Sequence, residues 1–102
     1  MGFREEYLKK QLEGLAKVLA AILGLKAAGR VDEARAELAR SAKSLLGVGM
    51  DPLGRVDVGT AVRLLRSREA AETYAQLLEV QASLDDEDAL RERAKAIRDQ
   101  GQ

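Results

Sequence analysis

The stretch LKAAGRVDEARAEL, from Leu25 to Leu38, places one glycine between two runs that favour helix. Alanines precede Gly29, and two acids follow it before alanine and leucine return. Glycine often ends helices because it adopts the left-handed conformation without steric cost, and acids favour a helix's first turn. We therefore predict that one helix ends near Ala28, that a second begins near Val31, and that the two fold back antiparallel as a hairpin.

Apolar residues upstream of this corner repeat at steps of three and four, which predicts a first helix from about Phe3 to Ala28. The expected core positions are Leu8, Leu12, Leu15, Leu19 and Ile22, with Leu38 on the second helix. Val18 and Leu25 widen this apolar stripe, and Leu23 adds a second apolar side. We therefore expect the first helix to be the central one, buried against more than one neighbour.

A glycine-rich link, GVGMDPLGRVD (Gly47 to Asp57), follows the second helix. Asp51 and Pro52 within it are typical of one short helical turn. Beyond the link, Asp57 and Ser67 are candidate N-caps. Whether the helix that starts after Asp57 continues through Ser67 is open at this point.

Composition supports a single small helical domain. The 102 residues are 46% hydrophobic and 33% charged, and they include one proline. A chain of this length buries about two-thirds of its unfolded surface, so its core is thin. We predict an all-α bundle with four main helices plus a short turn or fifth helix. Its parts are hairpin one over about residues 3–47, a link over 47–57 and hairpin two over about 58–100.

The corner resembles the helix–turn–helix of the tetratricopeptide-like repeat. In that pattern a large residue lies four positions before a glycine, and a second large residue lies two positions after it. An alanine follows five positions after the glycine, and a large apolar residue four positions later. The matching residues here are Leu25, Gly29, Val31, Ala34 and Leu38. The sequence departs from it where Ser41 takes the place of the later small residue, and the repeat-ending proline is not at its position. The layout is also similar to a family of small uncharacterised bacterial all-helical proteins. The resemblance implies a small closed bundle, or one completed by another chain.

The amino-acid composition excludes catalysis and metal binding that depend on histidine or cysteine. Histidine and cysteine are absent, so the chain has no thiolate nucleophile, no histidine-based triad and no Glu-x-x-His metal site. The acidic run from Asp85 to Asp88 lacks the spacing of a calcium loop, and the segment from Gly47 to Asp51 lacks the lysine of a phosphate loop. We expect no enzyme activity, no cofactor and no bound metal.

The charge distribution does not favour a polyanionic partner or a membrane. Residues 1–50 carry nine basic and six acidic residues, and residues 51–102 carry eight and eleven. Arg63, Arg66 and Arg68 lie close together, but acids follow them, so we do not expect nucleic-acid binding. The N-terminus does not resemble a secretory signal, and the longest apolar run is short for a bilayer. A cytoplasmic location is expected.

The remaining expectation is non-enzymatic protein–protein interaction or self-association, as an adaptor or scaffold that forms a homo-oligomer. Candidate partner-binding residues are Phe3, Tyr7, Leu23, Tyr74, Leu77 and Leu78. Each of them also fits a place in the core. A helical DNA-binding regulator and a small-ligand sensor with an apolar cavity stay open as alternatives.

Overall fold

The chain is all-α in the computed structural model, which describes the backbone of residues 2–101 and the side chains of residues 14–101. The helices are α1 (Gly2–Ala27), α2 (Val31–Leu46), α3 (Met50–Gly54), α4 (Val58–Leu65), α5 (Arg68–Asp85) and α6 (Asp88–Gly101). No strand occurs in residues 2–101. The predicted all-α class is confirmed. The number of helices is larger than predicted because α4 and α5 are separate.

The turn between α1 and α2 forms where the sequence predicts it. Gly29 has a φ of 78°. Its N–H donates to the Lys26 carbonyl at 3.0 Å, and the Arg30 N–H donates to the Leu25 carbonyl at 2.8 Å. These two bonds define a Schellman motif, which satisfies carbonyls left open at the end of a helix. Beyond the turn, α2 packs against α1.

A two-residue break separates α4 from α5. Arg66 ends α4 with a φ of 67°, and its N–H donates to the Val62 carbonyl at 3.3 Å. Ser67 then caps α5, because its hydroxyl accepts a hydrogen bond from the Ala70 N–H at 3.0 Å. The chain therefore starts a new helix at Arg68, and the point left open by the sequence is resolved as a break.

Helix α5 is buried on two faces, each in a different hydrophobic cluster. Spacings of three and four residues within each set give α5 two apolar stripes. One stripe packs with α3, α4 and α6, and it consists of Ala71, Tyr74, Ala75 and Leu78. The other packs with α1 and α2, and it consists of Leu77, Val80 and Leu84. The two clusters therefore share α5, and Leu46 of α2 and Met50 of α3 also pack against both.

The central element is α5, which corrects the expectation that α1 is central. Helix α5 packs against α1, α2, α4 and α6. Of the expected core residues, Leu15, Ile22 and Leu38 are buried and Leu19 is half-buried. Leu8 and Leu12 lie outside the residues whose side chains are described. Over residues 14–27, α1 therefore contributes one stripe to one cluster.

The turn at Gly29 provides a test of the backbone argument with a matched control. Gly29 and Gly24 both have open space for a methyl group, but only Gly29 has a positive φ. We expect Gly29→Ala to lower the free energy of unfolding by about 1 kcal/mol, because alanine is strained in the left-handed region. Gly24→Ala should raise it by about 0.5–1 kcal/mol, because alanine favours helix. Urea unfolding at low protein concentration measures the free energy of unfolding of both variants. Equal changes in the two would contradict a left-handed conformation at Gly29.

Asp57, at the start of α4, provides a test by titration. The Thr60 hydroxyl donates to its carboxylate, and this hydrogen bond holds the pKa of the Asp57 carboxyl below its ordinary value of 3.8. A lowered pKa stabilises the fold above pH 3.8, and this stabilisation is lost as the pH falls through the lowered value. We expect Thr60→Val to raise the pKa toward the ordinary value in an NMR titration of the carboxyl carbon. An unchanged pKa would mean that another group lowers it.

Candidate functional site

One side of α1 is left open to solvent, and within residues 14–27 Lys17 is the charged residue that helical spacing places there, next to Ala20 and Gly24. The stripe that faces the core includes Leu15 and Ile22, which are buried. The opposite side, which we name the α1 face, consists of Ala16, Ala20, Leu23, Gly24 and Ala27, all exposed. Leu23 is 45% exposed. These five residues recur at steps that place them together along one side of the helix.

The composition of the α1 face suits contact with another helix. Within residues 14–27 the ionisable side chains are Lys17 and Lys26, and Lys26 donates a hydrogen bond to Ser83 of α5. Alanine and glycine allow a second backbone to approach closely, while Leu23 projects beyond them. The arrangement can bind an apolar surface, and it offers no group that performs acid–base or nucleophilic chemistry.

The six predicted partner residues divide into three groups. Leu23 is exposed on the α1 face. Tyr74, Leu77 and Leu78 are at most 2% exposed, so the expectation that they face a partner is corrected: they form the core on the two sides of α5. The side chains of Phe3 and Tyr7 lie outside the described residues. The turn signature places Ala34 and Leu38 in the core and Leu25 and Val31 at its edge.

A groove lined by both polar and apolar residues lies between α2, the start of α3 and α5. Its volume is about 390 Å³, and its walls include Leu38, Lys43, Met50 and Gln81. The ion pair between Arg35 and Asp85, with 2.7 Å between nitrogen and oxygen, also lines it. Because charged groups already paired with each other line this groove, it does not resemble the apolar cavity that a small-ligand sensor needs.

Arg93, on α6, forms hydrogen bonds to α3, to the turn after α3 and to α5, all of which are distant from it in the sequence. Its Nη2 donates to the carbonyl oxygens of Leu53 and Val56, both at 2.6 Å, and its Nε donates to the Tyr74 hydroxyl at 3.4 Å. The two carbonyls belong to the end of α3 and the turn after it, where a cation is favourable. Sequence analysis missed this residue because its partners are 19 to 40 positions away.

Arg98 holds α6 to α5 on the other side of the same helix pair. Its Nε donates to both carboxylate oxygens of Glu72, at 3.1 and 3.0 Å, and its Nη1 donates to Glu79. Hydrogen bonds to Glu79 and Glu72 raise the pKa of the Arg98 guanidinium above its ordinary value. The Arg98 guanidinium therefore stabilises the contact between α5 and α6.

The chain matches no protein-family model, no curated protein and no solved structure. Within residues 2–101, no helix has both the length and the apolar character of a bilayer-spanning segment. Nor are three acidic side chains grouped for a metal ion in the described part of the chain.

Arg93 and the neighbouring Arg91 provide a matched pair of substitutions. Arg93→Met leaves the two carbonyls without their donor, and we expect it to lower the free energy of unfolding by about 1–3 kcal/mol. Arg91 is exposed and pairs with Asp88 at 2.8 Å, so Arg91→Met should cost less than about 1 kcal/mol. Urea denaturation measures both, and equal losses would contradict a bridging role for Arg93.

Proposed function

We propose that this protein is a non-enzymatic interaction module that self-associates through the α1 face. The observation that supports this most is the exposure of Leu23 within a row of alanines and a glycine. Helices on the surface of a single-chain protein normally present polar residues to water. The α1 face presents alanine, glycine and leucine to water instead, whereas the exposed positions of α2 and α6 are mostly polar or charged.

A second copy is the partner that the α1 face fits best. In a two-fold symmetric pair, each copy uses the same patch, so a patch must complement itself. A projecting leucine and a row of small residues satisfy this requirement, because Leu23 of one copy rests on the alanines of the other. The patch is small, so we expect a concentration-dependent pair with micromolar affinity rather than an obligate one.

The proposal also includes a fold type for α1 and α2 and a location in the cell. The spacing from Leu25 to Leu38 supports a tetratricopeptide-like hairpin for α1 and α2, and proteins of that class act by presenting helix faces to other chains. A cysteine-free chain suits a reducing compartment, so we propose a cytoplasmic location.

Leu23→Glu tests the proposal, with Ala36→Glu as its control. Ala36 is exposed on α2, away from the α1 face, so both variants add an acid to an exposed helix position. Light scattering after size-exclusion chromatography gives the mass at a series of concentrations. We expect the unmodified chain and Ala36→Glu to approach the mass of a dimer as concentration rises. Leu23→Glu should stay monomeric, because the pair would bury an unpaired carboxylate.

Two results would contradict self-association through this face. One is a monomer at every concentration for the unmodified chain. The other is a dimer that Leu23→Glu leaves intact, since the contact would then lie elsewhere. Circular dichroism of each variant verifies that the helices are retained.

A further inference from the structure

The arginines of this protein fall into three groups according to what they bind. Within the residues whose side chains are described, six arginines form ion pairs with carboxylates: Arg30, Arg35, Arg40, Arg55, Arg91 and Arg98. Arg93 donates to backbone carbonyls. Three others, Arg63, Arg66 and Arg68, have no carboxylate of the described residues within ion-pair distance. All three lie where α4 meets α5.

These arginines lie within four positions along the chain of Leu64, one of the two large apolar side chains that the described part of the chain exposes. Leu64 is 46% exposed, and Arg63, Arg66 and Arg68 are exposed as well. We name these four residues the arginine corner. Arg63 makes one long contact, 3.5 Å, to the Thr60 hydroxyl. The corner therefore presents three guanidinium groups and an apolar side chain to solvent.

The fold itself disfavours arginine at two of these positions. Arg66 has a φ of 67°, a conformation that strains every residue with a β-carbon and that glycine adopts freely. Arg68 is the first residue of α5, where the helix dipole disfavours a positive charge. Residues that conflict with local structural preference are expected at functional sites, where they are kept for another purpose.

We propose that the arginine corner binds an acidic segment of a partner protein, one that carries an apolar side chain between its carboxylates. Guanidinium groups bind carboxylates through paired hydrogen bonds, so three of them without an acidic partner suit a segment with several acids. Leu64 offers apolar contact to such a side chain, whereas a phosphate backbone has no apolar group to place on it. The acid Glu69, exposed on the next turn, also opposes a nucleic acid. The corner is separate from the α1 face, so this proposal does not depend on self-association.

The experiment uses a double variant that should fold better and bind worse. Arg66→Gly relieves the strained backbone and Arg68→Gln removes the charge at the start of α5, so the variant should unfold at a higher urea concentration. The control, Arg40→Gln with Arg55→Gln, removes the same charge from two arginines that are paired with acids. The probe is a fluorescein-labelled peptide of glutamates with one central leucine, and its anisotropy is measured at low and at moderate salt.

We expect the unmodified chain to bind the peptide, and added salt to weaken the binding. The corner variant should bind about tenfold more weakly and the control within about threefold of the unmodified chain. A peptide with alanine for leucine should bind more weakly than the probe.

Three outcomes would overturn the proposal. The first is no binding by the unmodified chain at low salt. The second is an equal loss in the control, since binding would then follow overall charge. The third is displacement of the peptide by a DNA duplex at lower concentration than the unlabelled peptide, which would make the corner a nucleic-acid site. The gain in stability of the corner variant separates any lost binding from misfolding.

Discussion

The burial of α5 on two faces is the constraint on which the rest of the structure depends. Tyr74 and Leu78 pack with α3, α4 and α6, whereas Leu77, next to Leu78 in the chain, packs with α1 and α2. A thin core is expected for 102 residues, and one shared helix allows two small clusters to support each other. If α5 unfolded, both clusters would lose the buried side chains that it contributes. We therefore expect the two clusters to unfold together.

This arrangement also determines which surfaces are left over. Because α5 supplies the inner wall of both clusters, α1 needs only one apolar stripe, and the α1 face stays outside. Arg93 and Arg98 connect α6 to α3 and α5, and other arginines pair with acids. Two surfaces that these contacts leave open are the α1 face, which is apolar, and the arginine corner, which is basic. Surfaces of these two kinds suit binding to other molecules.

The features that could be predicted from the sequence are those with a local cause. Gly29 ends α1 through bonds to residues within five positions, so its pattern predicts the turn. Ser67 is recognisable as a candidate cap, but the sequence leaves open whether a helix continues through it. The role of α5 could not be predicted, because two adjacent leucines indicate a wide apolar stripe without indicating which neighbours cover it. Arg93 gave no signal, since its carbonyl partners are brought to it only by the folded chain. Leu23 was identified as a candidate because it lies outside the main stripe of α1, and its exposure fits that role.

Hydrogen exchange followed by mass spectrometry, at low and high protein concentration, tests most directly whether α5 holds the fold while α1 serves association. We predict that α5 exchanges most slowly at both concentrations, because both clusters must open to expose it. Residues 16–27 of α1 should gain protection as concentration rises, while α6 does not change. Faster exchange in α5 than in α2 would contradict the shared-helix core, and protection of α1 that does not depend on concentration would contradict its role in association.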